Sequence, residues 1–235
     1  MPNFRKQRIA GWVVKSLFTL LIVAINVLII WRVFFSANIP ASIGTIHVND
    51  ALREAYAENG GKITAQYQNQ LTTTYGENNT GYFGVPEYFF IPEANQVQVV
   101  FRYNNSTLKH LAEDYGLSEI PAKDGEYFDV TLLKVTDLTP NDETDSEVES
   151  IRFAPTGVKR DTTALYTYYR YVFDGVEIDG SAVCHVYLDV YYLQDLNYEK
   201  TPYGTLLLYD QLHEWLPFDL SRADKQALKN AATAE

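Results

Sequence analysis

A single cysteine, Cys184, stands in 235 residues, so no intramolecular disulfide can form. Secreted eukaryotic domains of this size often carry such staples; their absence fits a bacterial extracytoplasmic domain that folds on its core alone. Histidine is scarce too. His47, His110, His185 and His213 occur singly, with no H-x-H or H-E-x-x-H spacing, so the pattern predicts no transition-metal site. No G-x-S-x-G or sortase-like cysteine motif is present, and Gly60-Gly61-Lys62 lacks the glycine five residues before Gly61 that a phosphate loop requires. The acidic stretch 141–149 offers the hard oxygens that calcium prefers, but no glycine stands at its sixth position. It reads as a solvated loop. These absences predict a protein that is not an enzyme and holds no cofactor; a hydrolase built on two of its many carboxylates is the remaining enzymatic alternative.

Negative charge is absent from the N-terminal region, and what is present there is decisive. Residues 16–31, SLFTLLIVAINVLIIW, form an uncharged apolar run preceded by Arg5, Lys6, Arg8 and Lys15. The run approaches the roughly 20 residues needed to cross about 30 Å of hydrocarbon. Lys15 and Arg32 extend it by snorkelling, and Trp12 and Trp31 sit where interfacial indoles are expected. Four cations before the span and one after it predict a cytoplasmic N-terminus. A cleaved signal peptide shares this pattern, with Ile39-Pro40-Ala41 before a cut; the long apolar run and Arg32, Phe34 and Phe35 argue against it. All 30 acids and only 14 of the 19 bases follow Arg32, giving that part a formal charge of −16. Nucleic acid is excluded as a partner on this ground.

The period of the sequence changes along the chain. Asn49 caps a predicted helix over 50–58, ended by Gly60-Gly61. A polar stretch, 64–84, reads as extended connection or weak strand. Residues 87–91, the turn 92–95 and residues 96–104 read as a hairpin in which Val97, Val99, Phe101 and Tyr103 share one face, with Gln98 and Arg102 opposite. Ser106 is placed to cap a short helix reaching about Asp114. Strands are expected over 126–138, 150–154, 164–174, 183–194 and 204–209, spaced as in a sandwich. Leu133 and Val135 leave the face of Phe128, Val130 and Leu132, which suggests a bulge near Leu132 or a strand shared by two sheets. In 183–194, Cys184, Val186, Leu188, Val190 and Tyr192 face the core, while His185, Tyr187, Asp189 and Tyr191 face away. A marginal helix capped by Ser221 ends the chain.

The domains expected are a basic cytoplasmic tail (1–15), a transmembrane helix (16–35), a linker or stalk with a short helix (36–84), a β-sandwich (85–218) and a C-terminal tail (219–235). The fold class expected is mainly β, an immunoglobulin-like sandwich with a few short helices, outside the cell membrane. Tyrosine is the feature that suggests function, with 18 in the chain. If 164–174 and 183–194 pair as neighbours, Tyr166, Tyr168, Arg170, His185, Tyr187, Asp189 and Tyr191 make one exposed aromatic surface. Such a surface suits an envelope protein partner or, as the alternative, cell-wall glycan. Tyrosine also simply suits strands, and the N-terminal helix or the C-terminal tail would then cover this face.

Overall fold

A computed structural model describes residues 3–35, 38–68, 74–75, 82–137, 148–178, 183–195, 201–210 and 215–233. It divides into two units, Met1–Asn38 and Ile39–Glu235. The first is one helix, α1 (Asn3–Phe35). Its segment Trp12–Trp31 has a mean hydropathy of 2.5 over 20 residues, long and apolar enough to span a membrane. Asn26 donates its side-chain amide to the carbonyl of Ile22 at 2.8 Å. The polar group inside the apolar run is therefore satisfied within its own helix, which lowers the cost of immersing it in hydrocarbon.

The second unit is mainly β. Its described residues comprise α2 (Ala41–Gly44), α3 (Asp50–Glu58), β1 (Ala65–Gln68), β2 (Thr74–Tyr75), β3 (Phe83–Ile91), β4 (Gln96–Asn104), α4 (Asn105–Asp114), β5 (Phe128–Asp137), β6 (Val148–Phe153), β7 (Gly157–Thr162), β8 (Tyr166–Phe173), β9 (Val183–Tyr192), β10 (Gly204–Asp210), β11 (Trp215–Phe218) and α5 (Arg222–Ala232). Two sheets result, both antiparallel: a six-stranded sheet ordered β11-β1-β3-β4-β8-β7 and a five-stranded sheet ordered β2-β10-β9-β5-β6. Their inner faces share one core in sandwich-like packing. Val97, Val99, Phe101, Tyr171 and Phe173 of the larger sheet join Val130, Leu132, Val186, Leu188 and Val190 of the smaller, all buried.

The hairpin, α3 and its Asn49 cap, and the register of β9 all match the sequence reading. Other expectations give way. β5 runs opposite β9 without a break from Phe128↔Tyr192 to Asp137↔Val183, so it has no bulge at Leu132 and belongs to a single sheet. Leu133 and Val135 simply occupy its outer face. α4 is capped by Asn104, which accepts from Thr107 N while Thr107 returns the bond. This box lies two residues before Ser106. β7 and β11 have no counterpart among the expected strands, because short strands rich in charge or interrupted by Pro217 carry little alternation. The acidic stretch 141–147, with its calcium question, lies outside the described residues.

The segment read as linker builds a third layer. Ile43 packs with Val100 and Tyr168 on the outer face of the six-stranded sheet. Ile46 and Leu52 pack there with Phe89, Ile91, Leu220 and Leu228, bringing α5 onto the same face. Asp224, which caps α5 with Ser221, also accepts from Ile46 N at 2.6 Å and so ties the two ends of this unit together.

Under that layer lies a buried polar chain. Arg170 of β8 is 1% exposed. It donates through Nε to Ile43 O at 2.6 Å, through Nη1 to Gln98 Oε1 at 3.2 Å and through Nη2 to Gly44 O at 3.2 Å and to Glu87. Gln98 passes the chain on, donating to His47 O at 2.8 Å and to Gln96 Oε1 at 2.7 Å. Gln96 donates to Asn49 at 2.9 Å and to Asp174 at 2.6 Å.

Arg170→Leu strands the Glu87 carboxylate and two buried carbonyls, and is expected to destabilise the protein by about 3–5 kcal/mol. Arg170→Lys is expected to restore less than half, since one ammonium cannot reproduce the planar fork. Urea unfolding of the full-length protein in detergent measures both. His47 supplies a second test. Burial first, then the charges of Lys159 and Arg170, hold its imidazole below the ordinary 6.5, against the pull of Asp174. The unfolded chain therefore binds this proton more readily than the folded one, so stability falls as pH drops through and below 6.5. His47→Gln is expected to flatten that part of the pH–stability curve.

Candidate functional site

The seven residues singled out by the sequence do not form one surface. β8 pairs with β4 and β7, and β9 pairs with β5 and β10. The two tyrosine strands lie in different sheets and present their inner faces to a common core. Alternation is the same for hairpin neighbours and for strands that face each other across a core, which is why the periodicity misassigns the pair.

Tyr166, Tyr168 and Arg170 point to the outer face of the six-stranded sheet, where the α2–α3 layer covers them. Tyr168 is fully buried and Arg170 is the hub described above. Tyr166 is half-buried, with the Arg102 guanidinium 4.6 Å from its ring centroid. Covering of this face is one of the two outcomes that the sequence allows, and the cover comes from the supposed linker.

His185, Tyr187, Asp189 and Tyr191 remain together on the outer face of the five-stranded sheet. Here β9 is central, so alternate residues stand in a row with fixed spacing. Asp189 is the anchor, 2% exposed. Its carboxylate accepts from Thr205 Oγ1 at 2.8 Å on β10 and from Arg152 Nη1 at 3.0 Å on β6. The Tyr191 hydroxyl lies 3.3 Å from the same carboxylate and also accepts from Arg152 Nη1. His185 Nδ1 lies 3.6 Å from Asp210 Oδ1, and its ring is 6.3 Å from that of Tyr187.

Arg152 and Thr205 are absent from the residues that the sequence singles out. Each is a single polar residue on a strand whose neighbour cannot be known without the pairing. Arg152 is the exposed part of this group, with a side chain 51% accessible. Desolvation works against its charge, but Tyr191 and Asp189 outweigh it and hold the guanidinium protonated. Both of its contacts use Nη1; among the described residues, Nε and Nη2 make no hydrogen bond.

Neither Asp189 nor Cys184 is set up for bond-making here. Asp189 is already engaged by three donors, which disfavours it as a general base. Cys184 is buried on the opposite, core-facing side, and burial pushes its thiol up, away from the thiolate a nucleophile needs. Among the described residues no group of three or more His, Cys, Asp or Glu is placed to hold a metal. A residual void between the sheets, bordered by Phe90, Val186, Leu208 and Trp215, measures about 10 Å³, room for at most one water. No family model, curated protein or solved structure matches the chain. Any functional reading therefore has to rest on the chemistry of these faces.

The pair Arg152–Asp189 is asymmetric, and its variants should report that. Arg152→Ala leaves a buried carboxylate without its counter-charge and is expected to cost about 1–3 kcal/mol. Asp189→Asn keeps acceptors for Thr205 and lets half-exposed Arg152 turn to water, at a cost of about 1 kcal/mol or less. Chemical unfolding that ranks Asp189→Asn as the more damaging change would contradict this account.

Proposed function

We propose that the protein is anchored in a bacterial cell membrane by α1, with its N-terminus in the cytoplasm. Its acidic β domain then lies outside, where it engages another envelope protein without catalysing a reaction. The basic residues before the apolar run support this orientation. The kinship with immunoglobulin-like sandwiches that we infer is one of architecture, two stacked antiparallel sheets. The helical layer over the larger sheet, and more strands than the roughly seven to nine of that class, are additions to it.

One observation carries the interaction reading. Arg152 is half exposed, is compensated by Asp189 beneath it, and among the described residues keeps Nε and Nη2 to offer. A partner that covers such an arginine buries a charge that is already paired, which avoids the largest cost of a polar interface. Tyr187 lies on the same outer face, in register with Arg152 across Leu133 of β5, and tyrosine and arginine are the side chains that most often dominate protein interfaces.

A membrane-impermeant amine crosslinker applied to intact cells tests orientation and partnership together, with the isolated transmembrane segment as control. One envelope protein should be enriched about tenfold over that control. The double variant Arg152→Lys with Tyr187→Ala should lose it while changing stability by less than about 1 kcal/mol. Recovery equal to the control would overturn the reading. Retention of the wild type on purified wall, without protein capture, would replace it with glycan binding.

A further inference from the structure

A second group of rings gathers beside the C-terminal end of α4, from four separate stretches of chain. Tyr82, just before β3, stacks on His110 of α4 with centroids 4.5 Å apart and planes 14° from parallel. It is held there by the Thr107 hydroxyl, which donates to its carbonyl. Tyr203, just before β10, lies 6.1 Å from Tyr82 and 5.8 Å from Tyr115. Tyr115, the C-cap of α4, lies 4.5 Å from Tyr192 at the end of β9. Tyr192 and Tyr203 are buried, Tyr82 is half-buried and Tyr115 is exposed, with exposed Leu193 close by in the chain.

Two of these phenols donate into carboxylates: Tyr203 to Asp114 at 2.7 Å and Tyr115 to Asp195 at 2.7 Å. Burial, and then those bonds, hold both phenols protonated well above the ordinary range. A phenol that gives its hydrogen to a carboxylate gains electron density in its ring, which deepens the negative potential over the ring face. Asp114 is paired with a neutral group, and among the described residues no counter-ion cancels its charge. It acts electrostatically on Tyr82, Tyr115 and Tyr203 alike. The carbonyl end of α4 adds its partial negative charge at the same place. Glu113, more than half exposed, is shared with Lys109 at 3.5 Å and His110 at 3.4 Å.

Building on the interaction reading above, we infer that this face receives a cationic side chain of the partner, an arginine or lysine laid over the exposed Tyr115 ring with Asp114 as its counter-charge. The charge complementarity is specific to a cation. A sugar would use the ring faces and would need Asp114 chiefly as a hydrogen-bond acceptor, which an asparagine also supplies, whereas a guanidinium stacked on tyrosine depends on the ring and on the negative charge. The formal charge of −16 after Arg32 adds long-range attraction for the same cation.

The test is calorimetric titration of the full-length protein in zwitterionic nanodiscs with a hexa-arginine peptide. Tyr115→Leu and Asp114→Asn should each weaken binding by about tenfold. Asp219→Asn, which removes a 92% exposed charge elsewhere, should weaken it by about twofold or less. Asp114→Asn keeps the acceptor for Tyr203, so a fold-linked loss in Tyr115→Leu is recognised by near-ultraviolet circular dichroism and does not decide the matter alone. Equal effects of Asp114→Asn and Asp219→Asn would reduce the attraction to diffuse charge and overturn the site. So would chito-oligosaccharide binding that needs Tyr115 and ignores Asp114. Crosslinked capture that survives Tyr115→Leu removes this site and leaves the interaction reading standing. Hexa-arginine binding that behaves as expected in a protein with no captured partner does the reverse.

Discussion

The β domain depends on a guanidinium that water does not reach. Arg170 sits on the outer face of β8, one strand in from the edge of its sheet, and its donors end on the backbone of residues 43–44, on Gln98 and on Glu87. A buried charge is tolerated only when every partner is present, so the position of α2 is dictated by the arginine as much as by Ile43. The same network sets the strand register. A slip of β8 by one residue would turn Arg170 into the core against Phe101, Val130 and Leu132 and turn Tyr169, Tyr171 and Phe173 outward. Neither alternative offers the guanidinium an acceptor. The polar chain through Gln98, Gln96, Asn49 and Asp174 thereby selects one arrangement of sheet and covering layer among several that hydrophobic burial alone would accept.

What can be read from the sequence follows the range of the forces involved. The apolar helix, the β3–β4 hairpin, α3 with Asn49 and its glycine stop, and the facing of Cys184 through Tyr192 are all written in neighbouring residues. Local chemistry settles them. Strand partnership is not local. Tyr166 to Tyr171 and Tyr187 to Tyr192 carry the same alternation whether they are hydrogen-bonded neighbours or opposite walls of a core. Gln98 and Arg102 read as a wet face for the same reason: nothing within β4 reveals that residues 43–49 lie over Gln98. His185, Tyr187, Asp189 and Tyr191 stay together because they share one strand. Arg152, which gives that face its chemistry, lies on β6, a strand that does not pair with β9. Only β5, placed between the two, brings the guanidinium to Asp189, and no local pattern announces that order.

Two arginines on the two outer faces are held in contrasting ways. Arg170 spends Nε, Nη1 and Nη2 within the fold, whereas among the described residues Arg152 engages its partners through Nη1. The difference lies in cover. The α2–α3 layer closes over the first, while the second keeps half of its surface in solvent. A carboxylate beneath an exposed arginine cancels its long-range field but leaves its hydrogen-bonding capacity intact. Such a residue discriminates by geometry at contact and contributes little to steering from a distance.

Steering comes from elsewhere on the same domain. The excess of acids acts over a Debye length of about 8 Å at physiological salt, so it selects the sign of an approaching surface before any ring or guanidinium is touched. A basic partner is drawn in and an anionic one is repelled. In the contact we propose, the aromatic group around Tyr115 and Asp114 would convert that general preference into one with direction, because a cation gains most directly above a ring and loses the gain when displaced sideways. Field and contact thus favour the same sign of charge, while the Arg152 face requires an acceptor. A partner able to satisfy both must carry a cation and a hydrogen-bond acceptor at separate points, and that pairing is far more restrictive than either demand alone.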